Sequence, residues 1–315
     1  MTDVKQSQHI ALIGFGEAGQ AFAKGWLSSG VSAKISAFDI KTQNDTKSIA
    51  IAKFEDYQKH GVIGCDRTQD ALKKSEAVFS LVTADQAENV ASDVASSIAE
   101  CVYYFDCNSC SPGSKRQSAA IIEEAGGRYV DMAVMAPVHP KLHQTPALVS
   151  GPHALEASTF LNTQLNMSAK QVGGDIGAAS SIKMVRSVLM KGLEAVILEC
   201  VLTGRRAGVD DIVLESLEQT YPGFGWKKRA AYMMERAATH GIRRAAEMRE
   251  VANTVREFGF DGEISDAAAN WEKTIGDLNV DMSEVKIDDH GAVADALLAA
   301  LDNQINKAEM KKETR

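Results

Sequence analysis

Two groups of residues in this sequence have the types and spacing to do chemistry. The first is Gly14-Phe15-Gly16-Glu17-Ala18-Gly19, which follows the apolar run Ile10 to Ile13 and leads into a helix-like run ending near Leu27. In a strand-turn-helix context each glycine of GxGxxG has a task. Gly14 permits the tight turn, Gly16 lets backbone amides approach a pyrophosphate, and Gly19 lets the helix pack on the strand. A second apolar run, Ile35 to Phe38, ends at Asp39, near the spacing of an acidic ribose ligand. An aspartate there accepts from both ribose hydroxyls and repels a 2'-phosphate, which favours NAD over NADP; Lys41 softens that preference. The second group is Lys183, Ser187, Met190 and Glu194, at i, i+4, i+7 and i+11 of a helical stripe. Lys183 and Ser187 are about 6 Å apart along such a helix, close enough to share a substrate, whereas Glu194 lies about 16 Å away. A lysine in a dry cleft has its pKa drawn from about 10.4 toward 7 or 8, which suits proton exchange with a hydroxyl. The same lysine on a solvated face does nothing, and spacing alone does not separate the two.

Other constellations are weaker. Cys107 and Cys110 form a CxxC, but no second pair accompanies it, so we read them as small loop residues and expect no metal. His139 and His143 have ligand-like spacing, yet Pro140 keeps them off one helical face. Arg236, His240, Arg243, Arg244 and Glu247 lie on an expected helix from about Lys227 to Val255. There His240 or Arg244 holds a substrate anion, or the group is a salt-bridge network, solvated or at an interface. Tyr221 to Trp226 reads as a lid or as an interhelix turn.

The elements that must position these groups follow an alternating rhythm. Strands are expected at Val62 to Cys65, Ala77 to Val82, Val102 to Phe105 and Arg128 to Val134, with short ones at Pro146 to Gly151 and Ala169 to Val172. Helices are expected at Thr68 to Lys74, Gln86 to Glu100 and Pro112 to Ala125, and Thr83 to Asp85 reads as a turn. This rhythm implies a doubly wound, mostly parallel sheet, in which ligands bind beyond the strand carboxyl ends. Gly14 to Gly19, Asp39, Thr83 and Asp106 to Ser111 then surround one crevice. From Gly177 onward only helical periodicity remains. The expected fold is therefore a Rossmann domain over residues 1–170 and an all-helical substrate and dimerisation domain over 171–315. The charged tail, Asn306 to Arg315, is expected to fray. A chain of 315 residues is long enough for two cores, and its net charge of -8 argues against nucleic acid as the main partner. No run spans a bilayer, and the polar stretch Met1 to Gln8 lacks a signal-peptide core, so the cytoplasm is the expected address.

Taken together, the glycine turn, the Asp106-Cys107-Asn108-Ser109-Cys110-Ser111-Pro112 and Asp131 to Pro137 segments and the Lys183 helix resemble the β-hydroxyacid dehydrogenases, among them 3-hydroxyisobutyrate and 6-phosphogluconate dehydrogenases. The resemblance covers about the first 200 residues. The later helices look like those of 6-phosphogluconate-dehydrogenase-like proteins whose C-terminal domain has no settled function. The resemblance implies that Lys183 is the catalytic acid/base, that Asp106 to Pro112 contacts nicotinamide and substrate, and that the helical domain dimerises.

The departures from that family bear on substrate. Asn108-Ser109 stands where Ser-Thr is usual, and Ala133-Val134-Met135-Ala136-Pro137 replaces the Pro-Val-Ser-Gly-Gly loop that holds a substrate carboxylate. Ser187 stands in place of an asparagine. Met190 occupies the position of the glutamate that protonates the enediol in 6-phosphogluconate dehydrogenase, which argues against that decarboxylation. The expectation is an NAD-dependent oxidoreductase acting on a small anionic hydroxy acid. Lys183 is its acid/base, and Asn108, Ser109, Ser187, His240 and Arg244 are its substrate ligands. Gly14, Phe15, Gly16, Glu17, Ala18, Gly19, Asp39 and Thr83 hold the cofactor. The alternatives are imine reduction, which retention of Lys183 argues against, and a non-catalytic NAD-binding regulatory protein.

Overall fold

Short apolar runs bounded by glycine, aspartate or serine become strands because extended segments four to six residues long bury both faces in a parallel sheet. The computed structural model describes residues 8–313. Its strands are β1 (Gln8–Ile13), β2 (Ala33–Phe38), β3 (Ile63–Gly64), β4 (Ala77–Ser80), β5 (Tyr103–Asp106), β6 (Arg128–Val134), β7 (Ala147–Ser150) and β8 (Ala169–Gly173). They form one sheet in the order β3-β2-β1-β4-β5-β6-β7-β8. Every neighbouring pair is parallel except β6 with β7. The first six strands thus have the doubly wound Rossmann order, in which strand order reverses between β1 and β4.

Helices α1 (Glu17–Ser28), α2 (Lys47–Lys59), α3 (Thr68–Ala71), α4 (Ala87–Ala95), α5 (Pro112–Glu124) and α6 (Ala154–Gln164) connect the strands. One core, under α1, α2 and α6, includes Phe15, Phe22, Trp26, Phe79 and Phe105. The other, under α3, α4 and α5, includes Ala11, Val78, Val94, Tyr104 and Tyr129. The expected strands are all present within a residue or two. Two helices are shorter than their spacing predicts, α3 stopping at Ala71 and α4 at Ala95. After Ala95 come Ser96 and Ser97, whose side chains bond locally to the backbone or to each other, a competitor of helix continuation.

After β8 every described element is helical: α7 (Ala178–Ala207), α8 (Asp210–Thr220), α9 (Trp226–Glu257), α10 (Glu263–Asp277) and α11 (His290–Glu313). The chain divides into two compact units, one up to Met184 and one from Val185 onward, so α7 begins in the first and continues through the second. The second unit has its own core, in which Leu198, Leu202, Met234 and Leu297 meet. Within it α9 and α10 approach backbone to backbone. A Cβ on Gly241 would lie 2.2 Å from the Glu272 carbonyl oxygen, and one on Gly276 would lie 2.7 Å from the Ile242 nitrogen. The last helix, α11, runs to Glu313. Met1 to Ser7, on which most of the leader expectation rests, lie outside the described residues.

Candidate active site

The glycine turn leaves β1 as its sequence predicts. Gly14 has φ +90° and sits so close to β4's exit that a Cβ would stand 2.6 Å from the Leu81 carbonyl oxygen. At Gly19 a Cβ would stand 2.7 Å from the Gly14 carbonyl oxygen, so α1 packs directly on the turn. Gly16 is the N-cap of α1, with no side-chain capping bond and nothing within 4 Å of a notional Cβ. The first-turn amides of α1 are therefore open to an anion, and the positive end of the helix dipole favours one. This cradle fits a dinucleotide pyrophosphate. Glu17 is exposed and Ala18 half-buried beside it, whereas Phe15 is wholly buried against Tyr57, ring centroids 5.0 Å apart.

Asp39 is joined to this turn. Its Oδ2 accepts from the Phe15 amide at 2.8 Å and its Oδ1 from the Lys41 amide at 3.0 Å. The side chain is half-buried, and each oxygen keeps a lone pair for a ribose hydroxyl. One supporting group escaped sequence reasoning. Lys53 on α2, 6% exposed, donates to the Phe15 carbonyl at 2.9 Å and to Asp56 at 2.8 Å, while Gln20 reaches the same two acceptors. This clamps the turn from below.

The neighbouring loops are linked in series along the strand carboxyl ends. Asn108 is buried; its Oδ1 accepts from the Val82 amide at 2.8 Å and its Nδ2 donates to Ser80 Oγ at 2.9 Å. Thr83 is exposed and precedes a short 3-10 turn, Ala84–Gln86. The Cys110 thiol lies 3.5 Å from the Ala84 carbonyl oxygen, and Ser109 is half-buried. Gly14, Asp39, Thr83, Asn108 and Ser109 thus occupy one edge, as the strand order requires. Asn108 spends both ends of its amide on the scaffold.

Beneath this edge lies a cluster of buried charge. The β5–β6 register sets Asp106 beside Asp131, two like charges that need a cation. Lys115 on α5 supplies it, 2.9 Å from Asp106 Oδ1 and 3.6 Å from Asp131 Oδ1, and it also donates to the Asp106 carbonyl at 2.7 Å. All three side chains are about 1% exposed or less. Burial alone would drive the proton off Lys115, but Asp106 and then Asp131 outweigh it and hold the ammonium above its ordinary lysine value. Tyr129 completes the Asp106 shell through its hydroxyl, which donates to Oδ2 at 2.7 Å. The second Asp131 oxygen accepts from Ser150 Oγ at 3.1 Å and from the Ser180 amide at 2.9 Å, and Ser150 Oγ accepts from the Ala179 amide at 2.9 Å. The first turn of α7 is thereby stitched to β6 and β7.

Lys183 stands one turn further along α7, half-buried. Burial pushes the Cys107 thiol far above its usual range, while Lys115 and, more weakly, Lys183 pull it back. Lys183, Cys107 and Asn108 all belong to the first unit. Cys107 and Cys110 are buried and are not in a disulfide. His143 is buried and packs on α1, a Cβ on Gly25 reaching 2.2 Å from its ring, while His139 is exposed.

Ser187, His240 and Arg244 belong to the second unit. Ser187 is buried on α7, and His240 is half-buried on α9. Arg244 is 6% exposed, paired with Glu194 and, at 2.8 Å, with Glu272. Burial raises the Glu272 carboxyl despite the opposing Arg244 charge. Glu247 takes Lys191 on one side and Arg243, at 2.6 Å, on the other. Among the described residues this helical face is an ion-pair network. Asp210, Asp211 and His290 form a further group whose ligand atoms lie within 4.8 Å of one another. Arg205 and Lys227 already pair with these carboxylates, and no ligand-like spacing joins Asp210 and Asp211 to the distant His290. No described helix is long and apolar enough to cross a membrane.

Comparison with known proteins agrees with this architecture. Residues 9–163 match the NAD binding domain of 6-phosphogluconate dehydrogenase, and residues 205–275 match a domain of unknown function (DUF1932). A conserved hypothetical protein from Sinorhizobium meliloti shares 32% identity, with 94% of this chain and 97% of that chain covered and a TM-score of 0.69. The 2-(hydroxymethyl)glutarate dehydrogenase of Eubacterium barkeri is 26% identical over 222 residues, 68% of this chain and 69% of its own length. The fold is shared with the 3-hydroxyisobutyrate dehydrogenase of Mycobacterium tuberculosis, 15% identical over 93% of this chain and 99% of that one, TM-score 0.66.

Proposed function

Because this chain belongs to the β-hydroxyacid dehydrogenase family, with an NAD-binding domain followed by a helical one, we propose that it moves a hydride between NAD and a small hydroxy acid, with Lys183 as acid/base. The observation that carries this reading is the placement of Lys183 on the helix stitched to β6 and β7, three residues beyond the Ser180 amide that binds Asp131. A nicotinamide held here would supply the hydride acceptor for the carbinol carbon. The protein's part is to take the hydroxyl proton on Lys183 Nζ as the carbonyl forms, and to return it in the reverse direction. The open N-terminus of α1 and Gly16 would hold the pyrophosphate, and Asp39 the adenosine ribose, which supports NAD over NADP. Ser109 and Ser187 would orient the substrate, and Asn108 fixes the loop beneath it. Arg244, already paired twice, supports the network reading better than the anion-ligand one. A homodimer in the cytoplasm goes with this reading. The exposed Val185, Leu189 and Val196 on α7 support an interface there.

The test is NADH formation across a panel of hydroxy acids headed by 2-(hydroxymethyl)glutarate and 3-hydroxyisobutyrate, with wild type and Lys183→Ala. We expect turnover of at least one compound, reduced at least about a hundredfold in the variant while NADH affinity is kept. Equal turnover in the two proteins sinks the acid/base assignment. Tight NADH binding without turnover of any alcohol or imine in the panel favours the non-catalytic regulatory reading.

A further inference from the structure

We propose that Asp131 is a positioning residue for Lys183, acting through the first turn of α7; this rests on the reading of Lys183 as the acid/base. Two consecutive amides of that turn are held from the sheet. The Ser180 amide donates to Asp131 and the Ala179 amide donates to Ser150, which itself donates to Asp131. Lys183 follows Ser180 by three residues and shares its side of the helix. A rotation of α7 about its axis would break both amide contacts and swing Lys183 with them.

The same carboxylate is tied to the loop that follows β5. Its Oδ1 faces Lys115, Lys115 pairs with Asp106, and Asp106 Oδ1 accepts from the Asn108 amide at 3.0 Å. One buried ionic cluster thereby holds both the start of the helix that carries the lysine and the loop after β5. A cluster of two carboxylates and one ammonium is costly to bury, and hydrophobic residues of similar volume would hold the sheet equally well. What they would not supply is an acceptor aimed at a helix N-terminus, where a negative charge also complements the dipole.

Asp131→Ala removes the acceptor yet leaves Lys115 paired with Asp106, so a folded protein is expected. Ser150→Ala is the milder lesion, and Asp131→Asn restores an oxygen that can accept from the Ser180 amide. Three measurements apply: NADH affinity by fluorescence, hydrogen exchange over residues 177–187, and acetylation rates of Lys183 against exposed Lys24 by peptide mass spectrometry. For Asp131→Ala we expect NADH affinity within about threefold of wild type, faster exchange confined to the α7 start, and a Lys183 acetylation rate changed severalfold while Lys24 is unchanged. With any substrate found in the panel, kcat falls about a hundredfold with little change in KM, as misplacement of a reacting group by about 1 Å predicts. Ser150→Ala should lie between, and Asp131→Asn should recover most of the loss. Unchanged exchange and acetylation in Asp131→Ala overturn the proposal, as does a failure of Asp131→Asn to recover either. If wild type turns over nothing, the acid/base reading fails alone, and exchange and acetylation still decide whether Asp131 positions the lysine.

Discussion

A single carboxylate after β2 ties the glycine turn to the loop that follows it. Asp39 fixes the Phe15 and Lys41 amides and offers its remaining lone pairs outward. On the proposed reading of Asp39 as the ribose acceptor, removing it should weaken the cofactor site twice, through that lost acceptor and through a loosened glycine turn. Hydrogen bonds to a charged group are worth about 1.5–3 kcal/mol each. In Asp39→Ala, NADH affinity should fall at least about tenfold while NADPH affinity falls less or rises, since the repulsion of a 2'-phosphate is gone. Parallel fluorescence titrations with the two cofactors check this, and an unchanged ratio of affinities contradicts it. Asp39 was visible in the sequence because its chemistry and spacing coincide. Lys115 was not. On α5 it shares a buried face with Ala119 and Ile122, a pattern that announces burial of a lysine but names no partner. Its partners follow from the β5–β6 register, which a sequence pattern does not specify.

Strands were legible as elements because each is a short apolar run with a turn-forming residue after it. Two helices were missed for a physical reason. Of α2's thirteen residues only Lys53 and Tyr57 are buried, and α6 buries Ala154, Ala157 and Leu161, so neither presents a strong apolar stripe. The pairing of α9 with α10 was equally hidden, since Gly241 and Gly276 read as weak helix formers until their backbones are seen to touch. That contact brings Arg244 on α9 against Glu272 on α10. Gly241→Ala should separate the helices and stretch this buried pair. We expect a loss of about 1–3 kcal/mol, the usual penalty of overpacking a tight contact. Thermal denaturation would show it, and an unchanged midpoint would mean that the helices slide apart at no cost.

Across the whole molecule, the two units have separate cores, aromatic-rich in the first and rich in leucine and methionine in the second. Thermal unfolding should accordingly depart from two-state behaviour. NADH at about a hundred times its Kd should stabilise by about 2.7 kcal/mol and raise the transition of the first unit. Calorimetry with and without NADH tests this; one coincident transition by every probe contradicts it. The alternating and then purely helical periodicity made this succession of architectures legible. It did not reveal that α7 belongs to both units, because a continuous helix carries no mark where its contacts change from one core to the other.

The stitch between β6 and α7 has a further consequence during synthesis on the ribosome. Asp131 emerges 49 residues ahead of the Ser180 amide that it will accept from. At about 5–20 residues per second, that is a delay of roughly 2–10 s. Through that interval the nascent sheet carries a carboxylate destined for burial with Lys115, then the Ser150 hydroxyl, and solvent to satisfy it. The nucleotide-binding unit is thus sealed late, by the same turn that delivers the lysine, and a chain halted short of that turn has neither.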